Sequence, residues 1–288
     1  MLLLSANFRD RTLRGELIAA SHLKASRRGV RIRPIALPVE HGGWGLLFEP
    51  VVLGLLLAPS LAGLSLSVGA MGAFLARHPF KLAVGDWRRG RRIPRTAVAE
   101  SFAILYVCVA TLGLAVAIKT AGVGFLVPLL FAAPIAIIQL FYDAMGRGRA
   151  LTAELAGSIS IGAVATAIAI AGGWPRPAAF GLWVILAART GPTILYLRAR
   201  LRLLHRKSAS PRVVIIVHLL AIPIVFGLAL AGVVPFLAVA ALVILLLRAV
   251  VGFSKSGKRV TPKKLGLREL GFGAMTVFAV VIGYAVRL

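Results

Sequence analysis

Leu37-Pro-Val-Glu-His-Gly-Gly-Trp-Gly-Leu-Leu-Phe-Glu-Pro50 is the stretch where a basic tail gives way to a membrane. It sets Glu40, His41 and Glu49 around Gly42, Gly43, Trp44 and Gly45. A membrane helix starting near Gly43 carries Glu49 about 9 Å inward, at 1.5 Å per residue. That depth lies inside the ~30 Å hydrocarbon layer. A carboxylate there must face the bundle interior, find a cation or hold a proton. Pro50 follows at once; it leaves the carbonyl one turn back without its helical partner and bends the helix beside the carboxylate. Two readings of the stretch stand. In one, Trp44 anchors the interface, the glycines permit tight packing and Glu49 is a protonated hydrogen-bonding group. In the other, Glu49 belongs to a functional site, the default for an intramembrane carboxylate.

The rest of the chain agrees with a membrane. Its 288 residues are 59% hydrophobic, with a mean hydropathy of +0.91, well beyond soluble usage. Lys and Arg number 34 against 9 Asp and Glu, a net charge of +25. In a soluble protein that excess would point to nucleic acid. Here long apolar runs separate the basic clusters, so the expected partner is an anionic membrane surface, with no nucleic acid. Cys108 is the one cysteine, which excludes a disulfide framework and a cysteine-based metal site. Met1-Leu-Leu-Leu4 is too short for a signal-peptide core, so insertion is expected to use the first internal apolar helix, without cleavage. Residues 1–36 read as a basic cytoplasmic tail. Leu13, Leu17 and Ile18 form one face of a short interfacial helix, or the tail is disordered.

Apolar segments follow at about 43–58, 60–78, 97–118, 122–142, 151–172, 177–197, 212–231, 233–252 and 269–287. Most approach the ~20 residues needed to cross. Ala58-Pro-Ser60 is the only break between the first two, so they form a tight hairpin or a re-entrant pair. Gly122 to Gly124, Gly172-Gly-Trp-Pro175 and Gly232-Val-Val-Pro235 punctuate the later ones. Loop charge tests the count. Lys and Arg cluster before the first span, at Arg77 to Arg95, at Arg147 and Arg149, at Arg198 to Arg212 and at Lys255 to Arg268; the alternate loops hold only Lys119 and Arg176. Cytoplasmic loops collect Lys and Arg. The expectation is an all-α, polytopic bundle of nine transmembrane helices, with the N-terminus cytoplasmic and the C-terminus external. Its domain would be 37–288.

Ionisable residues gather toward the same ends. Arg77 and His78 close the second span, Glu100 opens the third, Asp143 closes the fourth, Glu154 opens the fifth, and Arg189 lies within the sixth. A polar cavity opening to the cytoplasm lets them share water and one another. His218, inside the seventh span, reads as a packing histidine. Two basic junctions look alike: Arg77-His-Pro-Phe-Lys-Leu-Ala-Val-Gly-Asp-Trp-Arg-Arg-Gly-Arg-Arg92 and Arg189-Thr-Gly-Pro-Thr-Ile-Leu-Tyr-Leu-Arg-Ala-Arg-Leu-Arg202. Each has an Arg, a Pro two or three residues later, an apolar stretch and a run of Arg. They suggest two related halves, about 43–142 and 151–252, plus a final helix at 269–287. Topology and headgroups explain Arg88, Arg89, Arg91, Arg92, Arg202, Arg206 and Lys207. Arg77, Lys81, Arg189, Arg198 and Arg200 instead precede or interrupt apolar stretches. Arg198 and Arg200 diverge by ~200° on a helix and do not both face lipid. Guanidinium forks bind phosphate or carboxylate in two-pronged fashion.

The stretch from Leu37 to Pro50, the Arg77-His-Pro79 turn and Leu195-Tyr-Leu-Arg-Ala-Arg-Leu-Arg202 together resemble the YwiC-like family of bacterial membrane proteins, from about residue 36 to the C-terminus. A more distant resemblance is to the UbiA-type intramembrane prenyltransferases. It implies nine helices, an N-terminus inside the cell and active-site loops after the second and sixth helices. Arg147-Gly-Arg-Ala-Leu-Thr-Ala-Glu-Leu-Ala-Gly157 resembles their approach to the fifth helix. The departure lies in the carboxylates. Those enzymes carry Asp-rich motifs in both loops that hold magnesium on a prenyl diphosphate. Here the first loop keeps only Asp86 and the second has no acidic residue, a poor magnesium site.

Three functions remain in view. The first is a UbiA-like protein binding an isoprenoid or another lipid with an anionic head. Arg77, His78, Lys81, Arg189, Tyr196, Arg198 and Arg200 would hold the head; Glu49, Asp86, Glu154 and His41 would be the acid–base groups. No metal ligand set is expected. If it catalyses, the reaction would be prenyl or lipid group transfer. The second is a transporter of a small anion. The third is a non-catalytic membrane component. Arg77 and Arg189 are expected on opposite walls of one opening, with Glu49, Asp86 and Glu154 as the offsetting carboxylates.

Overall fold

The computed structural model describes residues 32–37, 41–90, 92–254 and 261–286, and of His41 and Gly42 the backbone alone. Apart from one helical turn at Arg33–Ala36, the described chain folds into nine long helices and no strand. They are α1 His41–Leu57, α2 Leu61–Trp87, α3 Pro94–Ala121, α4 Leu126–Ala144, α5 Leu151–Ala171, α6 Arg176–Leu204, α7 Pro211–Leu230, α8 Phe236–Ser254 and α9 Pro262–Val286. Each matches one apolar segment of the sequence. The basic tail lies outside the described residues except for Ile32 to Ala36.

Seven helices, α3 to α9, are long and apolar enough to cross a membrane by length and composition. The expected nine is therefore met by seven on this test. α1 is apolar but short. α2 is long but ends on Arg77, His78, Lys81 and Asp86, which lower its hydropathy. The junctions behave as their residues dictate. Ser60 caps α2, its hydroxyl accepting from the Gly63 amide at 3.0 Å. Gly122, Gly173 and Gly232 adopt φ of 72°, 89° and 68°, the left-handed turn a Cβ would resist.

α1 packs mainly against α5 and α9 and meets α2 only lightly, so the two do not form a tight hairpin. α2 lies along α3, with Gly113 pressed on Gly69: a Cβ on Gly113 would fall 2.9 Å from the Gly69 Cα. Such close approach is how helices gain packing contact in lipid. α5 joins this pair to the rest, touching α1, α2, α4 and α6. Through the contacts α1–α5, α5–α6, α6–α8, α8–α9 and α9–α1 the remaining helices close a ring, which α7 backs. Inside the ring Leu53, Leu182, Ile185, Leu245, Val277 and Val280 form a buried apolar core.

Candidate functional site

Seven ion pairs join the described residues. Every described carboxylate has a cationic partner in one of them. The pairs fall into separate clusters, and the expected site residues are divided among these.

Arg77 and Lys81 on α2 both reach Asp143 at the end of α4, with Arg77 Nε 2.5 Å from Oδ2 and Lys81 Nζ 3.7 Å from Oδ1. Gly148 leaves room for this carboxylate, since a Cβ there would fall 2.0 Å from Asp143 Oδ1. His78 Nε2 lies 3.0 Å from the Pro34 carbonyl. Asp86 accepts from the Arg95 guanidinium and, at 2.9 Å, from the Thr96 hydroxyl. The hydrogen bond from Arg95 holds its carboxyl below the usual range; burial opposes, and Thr96 adds to the lowering. Glu154 on α5 accepts from Arg198 on α6 at 2.7 Å. Arg77 and Arg189 thus share no carboxylate, and Asp86 and Glu154 are engaged by cations other than the partner of Glu49. The His41 side chain lies outside the described residues.

The fourth cluster is buried inside the ring. Arg189 on α6 meets Glu49 on α1 at 2.7 Å, with side chains 3% and 9% exposed. Its Nη2 also donates to the Glu269 carbonyl at 3.2 Å. Arg248 on α8 donates to Glu269 Oε1 at 2.8 Å and to the Thr193 hydroxyl at 3.2 Å. Its guanidinium lies over the Tyr196 ring, 4.1 Å from the centroid, and 5.5 Å from that of Phe272. Glu49 therefore faces the interior and a cation from the sixth helix, as its depth required. Pro50 and Pro192 fall one and three residues beyond the two paired charges.

On α6, Arg189, Thr193, Tyr196 and Arg200 recur at i, i+4, i+7 and i+11, which is one face of a helix. All four are buried. Two glycines fit the column to its neighbours. A Cβ on Gly273 would fall 2.1 Å from Glu49 Oε1, and one on Gly252 would fall 2.2 Å from the Tyr196 hydroxyl. Five enclosed side-chain atoms among the described residues have no hydrogen-bond partner: Arg189 Nε, Arg200 Nε, Arg248 Nε, Glu269 Oε2 and His218 Nε2. Four belong to this column. The fifth, on α7, is on a ring whose Nδ1 donates to the Val214 carbonyl at 2.8 Å and which lies within the field of Arg248.

The column is closed at one end. One turn beyond the charges stand Leu53 on α1, Ile185 and Leu186 on α6 and Leu245 on α8, and about two turns beyond Glu269 stands Val277 on α9, all at most 4% exposed. Toward the other end stand Tyr196, Ala199, Ala249 and Leu265. Two surface recesses lie elsewhere and touch no column residue. One, of about 680 Å³, runs along Phe80, Trp87, Ile104 and Cys108. The other, of about 510 Å³, is lined by Lys81, Arg147 and Arg149.

Arg248 and Glu269 escaped the sequence reading. The signal was present: Arg248 interrupts an apolar run, and Glu269 opens the last one, as intramembrane charges do. Magnesium does not fit. Each described carboxylate is spent on a cation, and no three His, Cys, Asp or Glu side chains among the described residues converge to hold a metal ion. Hard oxygen donors without competing guanidiniums are what magnesium needs.

No curated protein and no solved structure matches the chain. Residues 37–169, running from the Glu49 stretch into α5, match the family model described as YwiC-like protein, so this part of the chain is similar to that family.

Proposed function

We propose that the chain is a nine-span protein of the bacterial cytoplasmic membrane that binds an amphiphile, a lipid or an isoprenoid, by its anionic head. The N-terminus is cytoplasmic and the C-terminus external. The head sits in a pocket that opens to the cytoplasm between α1, α6, α8 and α9. The two halves, 43–142 and 151–252, and the final helix pack in a UbiA-like way. The observation that carries this reading is the buried polar column on α1, α6, α8 and α9. Its charges stop at an apolar layer drawn from four helices, which suits a binding pocket and opposes a path across the membrane. That layer also disfavours the anion transporter. Arg77 and Lys81 share Asp143, and Arg198 pairs with Glu154; their role is to tie helices and to shape the field at the mouth.

Native mass spectrometry of the purified protein tests the reading. Dioleoyl phosphatidylglycerol should be retained in preference to dioleoyl phosphatidylcholine, and liposomes carrying the protein should stay tight to chloride and phosphate. Equal retention of both lipids, or protein-dependent anion flux, would overturn it.

A further inference from the structure

The charges of the column do not cancel. Glu49 and Glu269 are two carboxylates; Arg189, Arg248 and Arg200 are three guanidiniums. Arg189 and Arg248 are taken by the two carboxylates. Arg200 is 5% exposed, its Nε is enclosed without a partner, and no carboxylate among the described residues pairs with it. It lies one turn past Tyr196 on the same buried face of α6. An uncompensated buried cation is costly enough that a partner is expected from outside the chain.

We infer that Arg200, one helical turn past Tyr196, is the seat for a singly charged oxyanion, a phosphodiester or carboxylate head, and that a diphosphate is the wrong charge. This rests on the amphiphile reading above and narrows it. One guanidinium is in excess, so one negative charge neutralises the column. A diphosphate would bring a surplus of like charge toward Glu269, whose Oε2 already lacks a donor. A planar guanidinium presents paired N–H groups to two oxygens of one oxyanion. Arg77, Arg189 and Arg198 each meet a carboxylate, and Lys81, which shares Asp143 with Arg77, is 38% exposed to water, so none of the four is a buried cation without an answer.

The test uses the full-length protein, delipidated in detergent, with four probes: dioleoyl phosphatidylglycerol, dioleoyl phosphatidylcholine, farnesyl diphosphate and dimethyl phosphate. The variants are Arg200→Met and Arg200→Lys. Wild type should bind phosphatidylglycerol at least tenfold more tightly than Arg200→Met does, with Arg200→Lys between them. Phosphatidylcholine should bind all three alike, and farnesyl diphosphate should bind wild type more weakly than phosphatidylglycerol. Arg200→Met should melt no lower than wild type without lipid, since it removes an unpaired buried charge. Should it fail to fold, the Arg200→Lys deficit alone decides. Dimethyl phosphate displacing phosphatidylglycerol supports a headgroup seat. If it stabilises wild type while phosphatidylglycerol does not, the Arg200 seat stands and its occupant is a soluble anion. A phosphatidylglycerol preference that survives Arg200→Met overturns the seat but keeps the pocket. A diphosphate preference that depends on Arg200 overturns the single charge. Wild type with no preference overturns the amphiphile reading itself.

Discussion

Glu49→Leu isolates the central pair. The substitution leaves the Arg189 guanidinium with one acceptor, the Glu269 carbonyl at 3.2 Å, and leaves the column with three cations to one carboxylate. Two unit charges ~4 Å apart attract by about 4 kcal/mol at an effective dielectric near 20. Removing one partner of a buried pair costs about 3–5 kcal/mol, because the other charge stays buried alone. Glu49→Leu is therefore expected to lose about 3–5 kcal/mol. Glu49→Gln retains an acceptor and should lose only about 1–2 kcal/mol. Adding Arg189→Met to Glu49→Leu removes the stranded cation, so the double variant should recover about 2–3 kcal/mol relative to the sum of the singles. Equilibrium unfolding in mixed micelles by dodecyl sulfate titration, followed by the summed fluorescence of Trp44, Trp87, Trp174 and Trp183, measures all four proteins. A Glu49→Leu protein within about 1 kcal/mol of wild type, or strict additivity in the double variant, would refute the pairing.

Gly273→Ala pushes a methyl group into Glu49 and Arg189 and should cost about 1–3 kcal/mol. Gly266→Ala, on the same helix with open space around it, should be neutral or stabilising by about 0.5–1 kcal/mol. A topology reporter after Lys264 should read cytoplasmic and one after Leu288 external; both on one side would refute nine spans. Asp86 is held below its ordinary value of 3.8 by Arg95. Its contribution is therefore complete above that value and is lost as pH falls through the lower folded-state value. Asp86→Asn should flatten the fall in stability below about pH 4, and an unchanged acid limb would show that Asp86 has no part in it.

Helix number was legible because each helix is a long apolar run between punctuated loops; the limits were not where a helix runs on through charged residues, as α2 does to Trp87, α6 to Leu204 and α9 from Pro262. Ser60, Gly122, Gly173 and Gly232 do in space what their residue types imply. The burial of Glu49 followed from its depth alone. Its partner did not: Arg189 was one of several intramembrane cations, and only packing selects among them. Arg248 and Glu269 sit in segments whose apolar character dominated the reading. Likewise Arg77 and Arg189, similar in local sequence, were expected to share an opening. Asp143 and Glu49 instead claim one each, and the choice depends on which helices touch. Pairing across helices is a property of the bundle and leaves no mark on either segment of sequence.

Glu49 also sets an order of events in synthesis. α1 leaves the ribosome first among the nine helices, whereas Arg189 follows about 140 residues later. At ~5–20 residues per second, that is roughly 10–30 s during which the carboxylate has no mate. The ring closes only when α9 arrives with Glu269. Until then the first helix must wait at the insertion machinery or enter the bilayer with its carboxyl protonated. A chain stalled before α6 should therefore expose a nascent intermediate whose first helix slips back toward water.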